Sequence, residues 1–284
     1  MPAILFRQFF RKSILIYDAH EYFRGHQVLD NRPFQRYFWM WFEKKISRHL
    51  EYLITVSEPL GDFFKHDYPK LKNIEILRSL PSLEQEKGKI FIRKKSIENK
   101  IALFHGYFLA GRALENIITA FTKIKDKSIK LLLIGEGPLK QNLKEMVDSL
   151  DLNNTIEFVN FIPNEQLIEY IRKATIGLSI IQADCTNRKF ALPNKFFEYI
   201  HAGLPVLASN IPTLDAYTQK YKVGRTVDPE NPAEIAKVIE EMVSDPFQLE
   251  KWGINCKQAS KKLNWQNESQ KLAEIYSGIF NRKQ

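Results

Sequence analysis

Short apolar runs alternate with helical patterns over the larger, C-terminal part of the sequence. Clusters of apolar and β-branched residues predict strands at residues 101–104, 129–134, 156–159, 176–181, 205–209 and 224–227. Helical spacing follows at residues 114–123, 138–150, 164–173 and 195–202, and again at 246–263 and 266–280. Because strands alternate with helices, the pattern predicts crossover units, and therefore a doubly wound parallel sheet with helices on both faces.

The N-terminal part shows the same alternation with fewer strands. Strands are predicted at residues 14–17, 52–56 and 74–77, with a long helix at 34–50 and a shorter one opening at Ser57, Glu58 and Pro59. Three strands make a poor independent parallel sheet, so this part is predicted to be an incomplete Rossmann-like domain. A polar stretch at residues 79–89, with Pro81 and Gly88, is the predicted linker.

The predicted organisation is thus α/β, with two Rossmann-like domains. Residues 1–88 form the partial first domain and residues 89–262 the second, while a helix in 263–284 packs back towards the first. The length of 284 residues fits roughly two domains of about 150 residues each. A content of 44% hydrophobic and 26% charged residues is that of a folded globular protein.

Targeting signals and cysteine chemistry are not evident. No apolar run approaches the roughly 18 residues that cross a bilayer, and the first ten residues do not resemble a secretion signal. Cys185 and Cys256 lack metal-ligand spacing, so neither a disulfide framework nor a zinc site is predicted. A cytoplasmic protein is expected, with the inner face of the membrane as a further location.

The positive charge is concentrated in the N-terminal part. The net charge is +9, and residues 1–100 carry 19 Lys and Arg against 12 Asp and Glu. Such asymmetry indicates a surface that faces anionic lipid, an anionic substrate or nucleic acid, and an ordinary solvated basic face explains it equally well. No nucleic-acid partner is predicted, because no recognition motif accompanies the charge.

Residues 32–45 combine aromatic and basic side chains in the run Arg-Pro-Phe-Gln-Arg-Tyr-Phe-Trp-Met-Trp-Phe-Glu-Lys-Lys. Such a run suggests a helix that lies at a membrane interface. Its bulky residues nearly encircle the helix, which fits burial between other elements. Core burial is the favoured interpretation, and peripheral membrane contact is the second.

Candidate chemistry follows the strands, because ligands of open parallel sheets bind beyond the carboxyl ends of strands. After the first strand of the second domain, Gly106 and Gly111 lead to a helix with Arg112. This loop fits either a phosphate site or a tight turn with a solvated arginine. After the next strand, Gly135-Glu136-Gly137 lacks the third glycine of the dinucleotide fingerprint, so on its own a plain turn is favoured.

The most informative segment is residues 192–199. Asn194 is predicted to cap a helix whose first turn carries Lys195, with Glu198 three residues later on nearly the same face. Lys195 and the free N–H groups suit a diphosphate, and Glu198 suits a ribose diol. The alternative is a capping box in which Glu198 returns to its own helix start.

One polar loop in the N-terminal part also concentrates titratable groups. His20 follows a predicted strand and lies between Asp18 and Glu21. These side chains could position an acceptor hydroxyl, or they could simply be solvated.

The order of these motifs resembles the retaining GT-B glycosyltransferases of family 4. The segments that carry the resemblance are Tyr17–Glu21, Leu53–Ser57, His105-Gly106 with Arg112, Ile134–Pro138, Pro193–Tyr199 and Ala202–Pro205. The resemblance implies two Rossmann-like domains facing across a cleft, with a nucleotide-sugar donor held mainly by the second domain. It also implies transfer of the sugar to a hydroxyl with its anomeric configuration retained.

The resemblance assigns roles to individual residues. Arg112 and Lys195 would neutralise the donor diphosphate and, with His20, form the catalytic set, and Glu198 would hold the ribose. The remaining donor contacts would come from Gly106, Gly135, Glu136, Gly137 and Asn194. No metal and no other cofactor is implied, and the acceptor would be a carbohydrate or a lipid-linked sugar in surface polysaccharide or glycolipid synthesis.

The sequence departs from the family pattern in two places. The family's E-x7-E pair would place its first glutamate at Phe190, and family members usually have several further strands before the region of His20. The expectation is therefore a shortened acceptor domain, with three alternatives: a fragment, a misplaced start, or a half that needs a partner chain to supply the missing strands. The alternative function is a catalytically incomplete nucleotide-sugar-binding partner in a membrane-surface assembly; a sugar-nucleotide epimerase is less favoured because the motifs match transferases better.

Overall fold

The computed structural model describes residues 13–22, 32–83 and 100–281. Its strands are β1 (Ile16–Ala19), β2 (Tyr52–Thr55), β3 (Asn73–Ile76), β4 (Lys100–His105), β5 (Ile129–Ile134), β6 (Ile156–Val159), β7 (Ile176–Ser179), β8 (Val206–Ser209) and β9 (Gly224–Val227). Its helices are α1 (Pro33–Ser47), α2 (Glu58–Asp67), α3 (Leu114–Lys123), α4 (Lys140–Ser149), α5 (Asn164–Lys173), α6 (Thr186–Lys189), α7 (Asn194–His201), α8 (Pro212–Tyr221), α9 (Pro232–Ser244), α10 (Pro246–Ser260) and α11 (Trp265–Asn281). None of the helices in these ranges is both long enough and apolar enough to cross a bilayer.

The chain divides into two compact units. The small unit comprises Met1–Ser79, Asp184–Leu192 and Gln266–Gln284, and the large unit comprises Leu80–Ala183 and Pro193–Trp265. The chain therefore passes from the large unit to the small unit and back again between β7 and α7.

The small unit contains a parallel sheet in the order β1-β2-β3. Its central strand β2 is buried along its whole length, and Leu60 and Phe64 of α2 cover it at helical spacing. The first strand begins two residues later than predicted, because its pairing with β2 starts at Ile16 opposite Tyr52. Ser57 occupies the N-cap position of α2, as predicted, although its hydroxyl makes no capping hydrogen bond.

A buried ion pair joins α11 to the strand end after β3. The backbone N–H and the guanidinium of Arg78 both donate to the carboxylate of Glu268, at 3.0 Å and 3.1 Å. Glu58 and Lys271 complete the charge network. Burial alone would raise the pKa of Glu268, but the hydrogen bonds from Lys271 and Arg78 hold that pKa below its usual value.

The segment Asp184–Leu192 packs within the small unit. The backbone N–H of Tyr22 donates to the side-chain oxygen of Asn187 at 3.0 Å. The rings of Phe63 and Phe190 pack edge to face, with 5.3 Å between their centroids. The position of the family's first glutamate is thus occupied by an aromatic packing residue.

The large unit has a six-stranded parallel sheet in the order β6-β5-β4-β7-β8-β9. Its central strands are near-continuous apolar runs, as expected of a parallel sheet covered on both faces. Helices α3 and α9 pack against each other over this sheet and supply much of its core. The strand order reverses between β4 and β7, which lie side by side.

Helix α1 is where the sequence interpretation is wrong. Core burial was favoured for the aromatic run, yet none of the residues of α1 is buried. Its half-buried positions, such as Phe42 and Ile46, lie towards its C-terminal end.

Candidate active site

Two segments meet where the order of the large sheet reverses. Strand β4 ends at His105 and the loop after it carries Gly106 and Arg112, and the chain after β7 leads to α7 with Lys195 and Glu198. Because β4 and β7 are neighbours and parallel, their carboxyl ends open into one crevice.

The amino group of Lys195 is buried in this crevice. Only 8% of the residue is exposed, and Nζ lies 3.4 Å from the centre of the Phe104 ring, a cation–π geometry. A Cβ added to Gly106 would lie 3.6 Å from Nζ, so the lysine reaches the glycine loop. Burial and, next, the charge of Arg112 hold the pKa of Lys195 well below its usual value, while the charge of Glu198 opposes this shift.

A backbone turn of unusual conformation places Arg112 at the same site. Gly111 and Ala113 both have positive φ angles, of +82° and +52°, so Arg112 lies in a sharp turn just before α3. The carbonyl of Gly111 accepts the backbone N–H of Gln182 at 3.0 Å, which ties this turn to the chain after β7. Two cations in one site repel each other, and an anion bound to both would relieve that repulsion.

Glu198 faces His105. Its carboxylate Oε2 lies 3.1 Å from Nε2 of His105, at ion-pair distance but without the alignment of a hydrogen bond. Burial lowers the pKa of His105, Glu198 opposes that shift and the nearby charge of Lys195 adds to it. The carboxylate therefore supports a neighbouring strand end instead of forming the capping box, and about a third of its side chain (34%) stays exposed to a ligand.

Asn194 differs from the prediction. Pro193 occupies the N-cap position, and Asn194 is the exposed first residue of α7. The helix start has no side-chain capping bond, although the backbone N–H of Phe196 donates to the carbonyl of Pro193 at 3.0 Å.

Tyr199 fixes α7 to the strands beneath it. Its hydroxyl donates to the carbonyl of Leu103 at 3.1 Å and accepts the backbone N–H of His105 at 3.3 Å. Gly177 of β7 makes room for the ring, because a Cβ there would lie 2.5 Å from it. Three successive residues of β4 therefore hold α7: Leu103 contacts Tyr199, Phe104 contacts Lys195 and His105 contacts Glu198. No role was predicted for Phe104, His105 or Tyr199.

The turn Gly135–Gly137 lies against the loop after β4. The N–H of Phe108 donates to the carbonyl of Glu136 at 2.7 Å, and the N–H of Leu139 donates to the carbonyl of Phe108 at 3.2 Å. Both glycines have positive φ, and a Cβ at Gly135 would lie 1.9 Å from the carbonyl oxygen of Gly106. Close backbone approach is thus sufficient reason for glycine at both positions.

The side chain of Glu136 points to a local partner. Its carboxylate pairs with Nζ of Lys140 at 2.5 Å, and that lysine also donates to Asn160 at 2.7 Å. The predicted contact of Glu136 with the nucleotide stays a prediction.

His20 belongs to the small unit, directly after β1. It is exposed, and Nε2 lies 3.5 Å from a carboxylate oxygen of Asp18. Its predicted catalytic role is not tested by this geometry. Within the described ranges, no group of three or more His, Cys, Asp or Glu side chains comes together as a metal site.

The sequence of this chain matches a known protein family. The family model described as glycosyl transferases group 1 matches residues 86–259, which is more than half of the sequence. The chain belongs to this glycosyltransferase family.

Curated relatives are distant and longer. A D-inositol 3-phosphate glycosyltransferase of Corynebacterium urealyticum is 24% identical over 172 residues, covering 58% of this chain and 39% of the relative. A chitobiosyldiphosphodolichol beta-mannosyltransferase of Candida albicans is 21% identical over 306 residues, covering 99% of this chain and 65% of the relative. The chain thus spans less than two thirds of the length of either.

Solved structures show the fold. Anabaena Alr3699/HepE in complex with UDP superposes with a TM-score of 0.78 at 13% identity, covering 96% of this chain and 74% of that one. Sucrose-phosphate synthase from Thermosynechococcus elongatus gives a TM-score of 0.76 at 19% identity, covering 97% of this chain and 70% of that one. The group 1 glycosyltransferase described here therefore has the predicted GT-B type of α/β fold with Rossmann-like parallel sheets.

Proposed function

We propose that this protein transfers a sugar from a nucleotide-diphosphate sugar to an acceptor hydroxyl with retention of anomeric configuration, as a family 4 enzyme that needs no metal. The observation that carries the proposal is the shared site of Lys195, Arg112 and Glu198 at the reversal point of the large sheet. Cations and a carboxylate, spaced along one helix and an adjoining loop, match the diphosphate and the ribose of such a donor.

In the proposed reaction the bond between the anomeric carbon and the diphosphate oxygen breaks. A bond forms from that carbon to the acceptor oxygen on the same face of the sugar, and the hydroxyl proton passes to the departing diphosphate. Negative charge grows on the leaving diphosphate as the bond breaks. Lys195 and Arg112 would stabilise that charge, which is the kind of contribution that lowers a barrier most.

The burial of Lys195 strengthens this role. A cation removed from water interacts more strongly with an anion that displaces the remaining solvent. The loss of one such charge-assisted contact typically costs about 1.5–3 kcal/mol, or roughly ten- to a hundred-fold in affinity. Glu198 would accept hydrogen bonds from the ribose hydroxyls, and its contact with His105 holds the carboxylate in place for that purpose.

The acceptor is proposed to be a carbohydrate or a lipid-linked sugar of surface polysaccharide or glycolipid synthesis. Support comes from the relatives' names, one of which is a chitobiosyldiphosphodolichol mannosyltransferase. His20 is proposed to position the acceptor hydroxyl.

The test is a donor and acceptor screen with the purified full chain. UDP-sugars come first, because UDP is bound in the Anabaena structure, and GDP- and ADP-sugars follow. We expect release of nucleoside diphosphate that depends on an acceptor extract and persists in EDTA, with a retained anomeric configuration by NMR. Loss of release in EDTA would contradict metal independence.

The same screen separates the alternative function. A chain that binds a nucleotide sugar tightly but releases no diphosphate with any acceptor would be a catalytically incomplete partner. Arg112→Ala should weaken binding roughly ten- to a hundred-fold and lower turnover, whereas Arg225→Ala, which removes an exposed ion pair on β9, should change neither. Absence of binding to every donor would overturn the site assignment itself.

A further inference from the structure

Helix α1 exposes several large apolar side chains. Phe34 is 90% exposed and Tyr37 is 74% exposed, and Phe38 and Trp41 are each about half exposed. These four residues follow the spacing i, i+3, i+4 and i+7, so they form one continuous stripe along the helix. We call this stripe with its flanking cations the α1 face.

The α1 face is also strongly basic. Lys45 and Arg48 continue the aromatic stripe by one and two further turns, and Nζ of Lys45 lies 4.8 Å from the centre of the Trp41 ring. Arg32, Arg36 and Lys44 are exposed as well, and Glu43, at a half-buried position, is the single acidic residue between 32 and 48. The half-buried positions Phe42 and Ile46 lie on a different side of the helix.

We propose that the α1 face docks the protein on the surface of an anionic lipid bilayer. Aromatic side chains with a polar edge, such as Trp and Tyr, favour the boundary between headgroups and acyl chains. Lysine and arginine beside them bind anionic headgroups and strengthen attachment about five-fold per cation. The alternation of bulky aromatic and cationic groups on one helix is that of an interfacial helix.

Charge argues against a second copy of this chain as the occupant. A two-fold contact through the α1 face would bring Lys45 and Arg48 of both copies together, with no exposed acid on the helix to pair with them. The cores of protein interfaces are, in addition, depleted of charged residues. An anionic bilayer satisfies both the aromatic stripe and the cations.

This inference is independent of the proposed function, because it concerns the small unit and needs no nucleotide. The experiment is co-sedimentation of the full chain with vesicles of phosphatidylcholine alone and of equimolar phosphatidylcholine and phosphatidylglycerol. We expect binding to the anionic vesicles that weakens with added salt, and at least about ten-fold weaker binding to the neutral ones.

Two variants separate the aromatic and the ionic contributions. Phe38→Ser with Trp41→Ser should reduce binding to anionic vesicles about ten-fold or more, because the apolar insertion is lost. Lys44→Gln with Lys45→Gln should reduce it by a similar factor at low salt and much less at high salt. The matched control is Phe161→Ser with Phe247→Ser, two exposed aromatic residues of the large unit, which should bind as the wild type does.

Circular dichroism and nucleotide binding by the large unit establish that each variant is folded. Failure of the wild-type chain to sediment with anionic vesicles would overturn the proposal. So would unchanged binding of the aromatic variant. Self-association in solution that the aromatic variant abolishes, without vesicle binding, would assign the α1 face to a protein contact instead.

Discussion

At the scale of single residues, the end of β4 determines how the charged groups of α7 are held. Phe104 lies beneath the amino group of Lys195, and His105 faces the carboxylate of Glu198. The spacing of Lys195 and Glu198 along the helix was readable from the sequence, because i and i+3 share a face. The contributions of Phe104 and His105 were not, since they depend on which strand lies beside β7.

His105 offers the first prediction. His105→Ala should weaken nucleoside diphosphate binding by roughly ten-fold, because Glu198 loses the group that holds it against the strand end. His105→Asn keeps a polar donor and should retain most of the affinity. Isothermal titration calorimetry of both variants checks this. Equal loss in the two would indicate a packing defect, and no loss in either would show that His105 does not position the carboxylate.

Lys195 gives a prediction about pH. Burial and the charge of Arg112 lower its pKa in the free protein, and a bound diphosphate should raise that pKa again. Binding should therefore take up a proton at pH values between the two pKa values, and affinity should fall as pH rises through that window. Calorimetry in buffers of different ionisation enthalpy measures the uptake, which Lys195→Met should abolish. A wild-type chain that takes up no proton on binding at any pH would contradict this account.

At the scale of elements, the strands of the large unit were the most predictable features. The predicted limits of β5, β6 and β9 are the observed ones. For β5 the reason is its largely buried apolar run, whereas the edge strands β6 and β9 contain the polar residues Glu157 and Arg225. Helix α8 was not predicted, because it buries only Thr213, Leu214 and Thr218 and has little periodicity.

Helix α9 was also not predicted, although its apolar residues have strong helical spacing.

The predicted burial of α1 was wrong for another reason. Periodicity shows which positions are apolar, but it does not show whether another element covers them. That question depends on tertiary packing, which a single sequence does not contain.

The element-scale prediction concerns the joint between α11 and the end of β3. Arg78→Ala should destabilise the chain by about 2–3 kcal/mol in urea denaturation, because it removes the guanidinium that donates to the carboxylate of Glu268, whose side chain is only 4% exposed. Arg225→Ala is the matched control, since it removes an exposed Arg–Glu pair and should have little effect.

The sign of the pH dependence of this stabilisation follows from the lowered pKa of Glu268. The unfolded carboxyl binds a proton more readily than the folded one, so this group stabilises the fold above its unfolded pKa and ceases to do so as pH falls through the folded pKa. The difference in stability between wild type and Arg78→Ala should therefore shrink in acid. A difference that grows in acid, or equal effects of the two arginine variants, would contradict the buried ion pair.

At the scale of the whole molecule, neither of the two units is formed by one continuous stretch of sequence. Asp184–Leu192 belongs to the small unit although it lies between β7 and α7 of the large one. The sequence predicted the parallel α/β class and the order of motifs, because crossover units repeat along the chain. It did not predict this excursion, since the segment has no periodic pattern and its packing partners Tyr22 and Phe63 are remote in sequence.

The central claim is that Arg112, Lys195 and Glu198 bind one nucleoside diphosphate, with the cations on the diphosphate and the carboxylate on the ribose. The most direct measurement is calorimetric binding of the preferred nucleoside diphosphate, its 2′-deoxy analogue and the nucleoside to wild type, Arg112→Ala and Glu198→Gln. The account predicts that Arg112→Ala loses the preference for the diphosphate over the nucleoside, while Glu198→Gln loses only the preference for the ribose over the deoxyribose. Wild-type selectivity in both variants would contradict it.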